Sequence, residues 1–144
     1  MSNGERNPLG VWCHEFGHEL GLPDYYDTDG SSEGVGNWAV MAAGSWGNNG
    51  ETPVYFSAYS RYWLGWDEPI TVEDDVTNLV IEPVSEGGNI YKLPIPGNWS
   101  NSEQYFLLEN RQQTRYDTYL PGEGLLIWHI DEEIMFSKWS SNTV

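Results

Sequence analysis

Two histidines and a glutamate stand together near the start of the chain, in the run His14-Glu15-Phe16-Gly17-His18. On a helix, His14 and His18 are about 40° apart in rotation and one turn apart in rise, so both imidazoles can reach one cation. Glu15 is about 100° round from His14, beside the cation and not on it, where a general base for a metal-bound water has to stand. Two nitrogens leave a catalytic zinc short, because such a site keeps three protein ligands and a water. Asp24 can supply the third. Gly21 can take the positive φ that ends the helix and turns the chain back, and Pro23 stiffens the return. The residues thus point to Zn2+ on His14, His18 and Asp24, with Glu15 as the catalytic base of a hydrolysis.

The extended pattern HExxHxxGxxD is that of the metzincin metallopeptidases, with Asp in the place where a third His is usual. In that pattern a methionine in a tight turn lies beneath the metal as an apolar floor, and Met41, in Asn37-Trp38-Ala39-Val40-Met41-Ala42-Ala43-Gly44, is the candidate. Five segments, HEFGHELGLPDYYDTDG, GVGNWAVMAAGSW, FSAYSRYWLGW, EQYFLLENRQ and GEGLLIWHIDE, run in this order from Val11 to Glu132. Together they resemble the immune inhibitor A family of bacterial metallopeptidases. The resemblance implies a secreted zinc endopeptidase with protein or peptide substrates, the same three ligands, Glu15 as base and Met41 as turn methionine. The expected fold is α+β: a metzincin-like active-site helix and Met-turn, then a second helix, then a mostly antiparallel, β-rich C-terminal part. Members of the family carry a sheet-bearing subdomain before the helix and continue past the WHID segment. This chain is therefore expected to be a catalytic-domain fragment, lacking that upstream subdomain and shortened at both ends.

The elements that must position these residues are read as follows. Pro8 and Gly21 bracket a helix over 8–21, and a glycine-rich loop follows over 22–50. Thr52 as cap, Pro53 at the first position and Gly65 as stop predict a second helix over 52–64. Strands are expected at 77–83, 90–95, 104–111 and 124–130. This divides the chain into 1–66, holding the helix, zinc loop, Met-turn and second helix, and 67–144, the β-rich subdomain. On the first helix, Leu9, Trp12, Cys13, Phe16 and Leu20 lie opposite the catalytic face and are expected to form its core side, Cys13 included.

Composition bounds the alternatives. With 22 acidic against 6 Lys and Arg residues the net charge is −16, which repels phosphate backbones and anionic lipid and disfavours nucleic-acid or membrane partners. No apolar run approaches the roughly 20 residues of a membrane span. The single cysteine excludes an internal disulfide framework. The opening residues show no basic start followed by an apolar run, so no signal peptide is read there. Asp27, Asp29, Ser31 and Glu33 alternate around Gly30 in a spacing that can wrap Ca2+, and a metal-free surface turn explains them equally well. His129 reads as a hydrogen-bonded strand residue, Glu109 and Arg111 as an ion pair on one strand face, and Ala43 stands where some metzincins keep an accessory tyrosine. Tyr25 and Tyr26 receive no role, and Asn98-Trp99-Ser100 is a sequon only in a eukaryotic host. The many aromatics suggest a glycan-binding module, and the second class of function kept open is a non-catalytic calcium- or glycan-binding module or an inactive peptidase relic. Packing of Trp38, Trp46, Trp63 and Trp66 is the simpler expectation.

Overall fold

A computed structural model describes residues 7–30, 32, 34–95 and 104–139. The first helix, α1, spans Leu9–Glu19, with Pro8 in extended conformation at its N-cap. Its end is set by Gly21 at φ 96°, which lets the Gly21 and Leu22 amides turn back onto the carbonyls of His18 and Gly17 at 2.9 and 3.0 Å.

The helix meets the rest of the molecule through its smallest residues. A Cβ on Gly10 would sit 1.7 Å from the Ser45 carbonyl oxygen, and one on Gly17 would sit 2.2 Å from Met41 Sδ. Those glycines flank His14 on one face, so the expected core side is corrected. Leu9, Trp12 and Phe16 are 48, 62 and 61% exposed, while Cys13 and Leu20 at the edge of that stripe are half-buried. The physical reason is close approach. The segments carrying Ser45 and Met41 pack directly on α1, and only a face without bulky side chains admits them.

Downstream, a 3-10 turn at Gly36–Trp38 leads into the Met41 segment, followed by a kinked 3-10 run over Ala43–Gly50. The second helix, α2, covers only Ala58–Trp63, capped by Ser57, whose Oγ accepts from the Ser60 amide at 3.2 Å. The expected helix over 52–64 therefore starts later than Thr52 and Pro53 suggest. The Val54 amide goes to the Gly44 carbonyl and the Tyr55 amide to Asp117, so this backbone is committed to tertiary partners before a helical turn can form.

Four strands form one sheet in the order β1 (Ile70–Thr71), β2 (Tyr91–Pro94), β3 (Gln104–Arg111) and β4 (Gly124–Asp131). The β1–β2 pair is parallel and the other two pairs are antiparallel, giving the α+β class expected. No strand forms over 77–83. Asn78 has φ 59°, Val76, Leu79 and Val80 are exposed, and Pro83 makes only an isolated bridge to Asn110. A third helix, α3, follows at Glu132–Trp139, its Ile134 amide held by Asp131 Oδ1 at 3.0 Å. The acidic opening Asp131-Glu132-Glu133 is a helix-start signal that the strand reading passed over.

One core joins both halves of the chain. Leu22, Val40, Met41, Ala58 and Tyr59 pack with Ile90, Tyr105, Leu107 and Ile130. Alternation along β3 sends Tyr105, Leu107, Glu109 and Arg111 inward, so this strand supplies both apolar and charged groups to the interior.

Candidate metal centre

The geometry of α1 places His14 and His18 one turn apart, with ring centroids 4.8 Å apart and planes at 89°. Each ring is fixed by its far nitrogen. His14 Nδ1 donates to the Val40 carbonyl at 2.9 Å, and His18 Nδ1 to the Leu22 carbonyl at 2.8 Å. A carbonyl oxygen can only accept, so in the neutral ring each Nδ1 carries the proton and each Nε2 presents a lone pair. Both lone pairs face Asp24 Oδ1, at 2.9 Å from His14 and 3.2 Å from His18. The three donor atoms lie within 4.8 Å of one another. Asp24 is almost fully buried, His14 largely so, and His18 remains about one-third exposed, leaving one open side.

Two imidazole nitrogens and a carboxylate oxygen suit zinc, and three such donors with an open side match the ligand count of a catalytic site. The chain behind Asp24 is anchored by the Tyr25 amide, which donates to the Met41 carbonyl at 2.8 Å. Met41 is completely buried against Gly17, between the two histidines of α1. The structure brings His14, His18 and Asp24 together, and Met41 packs against Gly17 of the same helix.

Glu15 is exposed and shares a hollow of about 390 Å³ with Val11, His14, Tyr26, Ala43 and Trp46. Ala43 leaves that wall without a hydroxyl, as expected from the sequence. Tyr26 also lines the hollow, its ring stacked on His14 at 6.2 Å with planes 25° apart. Partial burial and the nearby carboxylates of Asp24 and Glu15 push the Tyr26 hydroxyl pKa up. No role for Tyr26 was legible in the pattern; adjacency to a candidate ligand was the only signal.

A second charged cluster lies behind the site. Glu109 and Arg111 do pair, at 3.2 Å, and both are completely buried. The cluster is larger than the strand alternation implied. Arg111 also binds both oxygens of Asp117, at 2.6 and 2.7 Å, while Arg61 binds Glu109 at 3.0 Å and Trp128 Nε1 donates to Glu109 at 2.8 Å. Arg111 Nη1 reaches the Trp38 carbonyl at 3.2 Å, tying the cluster to the loop that leads to Met41. The acidic partners hold Arg111 above its ordinary value despite burial, which acts in the opposite direction.

Of the candidate calcium residues, Ser31 and Glu33 lie outside the described residues, as does Asn98-Trp99-Ser100. Asp27 Oδ1 accepts from the Asp29 and Gly30 amides at 2.8 and 3.0 Å, and Oδ2 accepts from the Ser32 amide. Those amides, Ser32 first, hold its carboxyl well below the usual carboxylate range and stabilise the turn from within. His129 is the hydrogen-bonded strand residue expected, paired with Gln104 Oε1 at 3.2 Å. Three of the tryptophans pack on one face only. Trp46 stands 59% exposed at the hollow, and Trp63 and Trp66 are 44 and 53% exposed, against Trp139 and Phe56 respectively.

Comparison with known proteins bears on the first part of the chain. Residues 3–67 match the family model described as immune inhibitor A peptidase M6, catalytic domain, a stretch of less than half of the chain. The Pre-pro-metalloprotease PrtV of two Vibrio cholerae serotype O1 strains, M66-2 and ATCC 39315 / El Tor Inaba N16961, is 46% identical over 59 residues. That stretch is 38% of this chain and 6% of PrtV. Immune inhibitor A of Bacillus thuringiensis subsp. alesti is 46% identical over 61 residues, 40% of this chain and 9% of that protein. The chain thus covers less than a tenth of each of these relatives. No solved structure matches. Over residues 3–67 the likeness to the immune inhibitor A metallopeptidases read from the motifs is shown, and it supports a metallopeptidase.

Proposed function

We propose that the chain carries the catalytic centre of a secreted, metzincin-like zinc endopeptidase that hydrolyses peptide bonds of proteins. The observation that carries this reading is the meeting of His14 Nε2, His18 Nε2 and Asp24 Oδ1, with both rings held in the tautomer that bares those nitrogens. His14, His18 and Asp24 would hold the ion. Bound zinc would supply a Lewis acid for the scissile carbonyl and acidify an attacking water.

The chain's own groups do the rest. Glu15, on the open side of the hollow and off the ligand set, takes the proton of the attacking water and returns it to the departing amine. The Val40 and Leu22 carbonyls keep the imidazoles from turning, so no reorganisation of the ligands is needed during turnover. Met41 seals the underside with sulfur and methyl groups, which keeps competing water from the ligand nitrogens.

The test is zinc content by elemental mass spectrometry on the purified chain, beside His18→Ala and Glu15→Gln, together with cleavage of an unstructured protein substrate. One zinc per chain, lost in His18→Ala and kept in Glu15→Gln, with zinc-dependent cleavage removed by either change, is the expected result. Folded wild-type chain without zinc, or undiminished cleavage by Glu15→Gln, refutes the reading.

A further inference from the structure

His18 owes its orientation to the Leu22 carbonyl, which accepts from His18 Nδ1 at 2.8 Å. That carbonyl stands one residue after the glycine that ends α1. Gly21, at φ 96°, is exposed, and a Cβ built on it meets nothing within 4 Å, so packing does not hold the turn at this point. The peptide joining Gly21 to Leu22 is held by two hydrogen bonds instead. Its N–H, the Leu22 amide, donates to the Gly17 carbonyl at 3.0 Å. Its carbonyl, that of Gly21, accepts from Trp139 Nε1 at 3.1 Å, across 118 residues of chain. Trp139 is the last residue of α3, and its ring rests against Trp63 of α2 and Phe136 of α3, at 4.9 and 6.1 Å between centroids.

Resting on the metal reading above, we propose that Trp139 is a positioning residue, whose indole N–H fixes the Gly21–Leu22 peptide and, through the Leu22 carbonyl, the direction of His18 Nε2. A peptide that follows glycine turns easily, because no Cβ restricts the backbone on that side. Such a turn takes the Leu22 amide off Gly17 and shifts the carbonyl on which His18 rests. Bonds at both ends of the peptide remove that freedom in the metal-free chain, so the cation does not have to supply the order when it arrives. His14 provides the internal contrast. Its Nδ1 rests on the Val40 carbonyl, in the buried Met41 segment, and not on the turn that Trp139 holds.

Trp139→Phe keeps a ring against Trp63 and removes the N–H, whereas Phe136→Leu disturbs the aromatic cluster and keeps the N–H. Proton–nitrogen correlation spectra of the imidazoles, recorded on the metal-free chain, report on each of the three histidines. Zinc affinity is measured by competition with a chromophoric chelator. In Trp139→Phe the His18 ring nitrogens should shift while those of His14 keep their wild-type positions. Zinc should bind about 2- to 10-fold more weakly, the size of one net hydrogen bond. Phe136→Leu should match wild type in both readouts. Unchanged His18 shifts or an unchanged zinc affinity in Trp139→Phe overturns the proposal and leaves the metal reading standing. His14 and His18 shifting together, or Phe136→Leu reproducing the Trp139→Phe changes, assigns α3 to general packing and overturns it as well. Wild-type chain that takes up no zinc overturns both readings.

Discussion

Two buried charged clusters each reach the main chain of the Met41 loop, one at Trp38 and the other at Val40, and they differ in one respect. The cluster around Arg111 contains its own counter-charges: Glu109 and Asp117 are matched by Arg111 and Arg61, with every contact a hydrogen-bonded pair. In the cluster around Asp24, a buried carboxylate oxygen faces the Nε2 atoms of two imidazoles, each held through its Nδ1 by a main-chain carbonyl. A buried charge is tolerated when it is paired or when it coordinates a metal. The first cluster follows the one route, and the reading proposed above assigns the second to the other. On the proposed reading, the difference separates a part that holds the loop in place from a part that a cation would complete.

The largest expected effect bears on the second cluster alone. Glu15→Gln removes a proton acceptor without touching the ligands, so cleavage should fall by about 10²- to 10⁴-fold while zinc content stays unchanged. Equal loss of zinc and activity would mean that Glu15 belongs to the ligand set. The first cluster is broken by Arg111→Met, which strands Glu109 and Asp117 in the interior. Unfolding free energy should drop by about 3–5 kcal/mol in urea titrations, with or without zinc. Recovery by zinc would show that the two clusters are not independent.

Gly17→Ala probes the contact between helix and floor. Its Cβ would fall 2.2 Å from Met41 Sδ, so Met41 must move. A cost of about 1–3 kcal/mol is expected, accompanied by weaker zinc binding, and Met41→Ala in the same chain should relieve part of the strain. Calorimetry with and without zinc checks both.

The last effect concerns pH. Burial raises the hydroxyl pKa values of Tyr25, Tyr59 and Tyr105, aided by Glu132 at the last two. The folded chain keeps protons that the unfolded chain releases above about pH 10, so stability is intact below that and falls as pH rises through it. Each tyrosine contributes up to about 1.4 kcal/mol per pH unit. Urea midpoints at about pH 9 and about pH 11 should differ accordingly, and equal midpoints would contradict it.

Much of the centre was legible because a metal site needs fixed donor types at fixed helical offsets, and His14, His18, Gly21 and Asp24 satisfy those offsets locally. Strands β3 and β4 were legible from alternation and their glycine turns. What the chain hid was tertiary. Nothing in Thr52-Pro53 signals that the Val54 and Tyr55 amides are claimed by Gly44 and Asp117, and so the helix starts later. Periodicity assigned Trp12 and Phe16 to the core because it registers bulk and polarity, whereas the helix packs through Gly10 and Gly17. The partners of Glu109 and Arg111 were equally out of reach, since Arg61 comes from α2 and Asp117 from a separate turn.

The central claim is that the Asp24 cluster is completed by zinc, and thermal unfolding of the metal-free chain across a zinc titration tests it most directly, with Asp24→Asn beside it. Wild-type chain should be stabilised progressively, by about 2.7 kcal/mol when free zinc is 100-fold above its dissociation constant, and Asp24→Asn much less at the same zinc. An unfolding midpoint that does not respond to zinc, or that responds identically in both chains, would contradict the account.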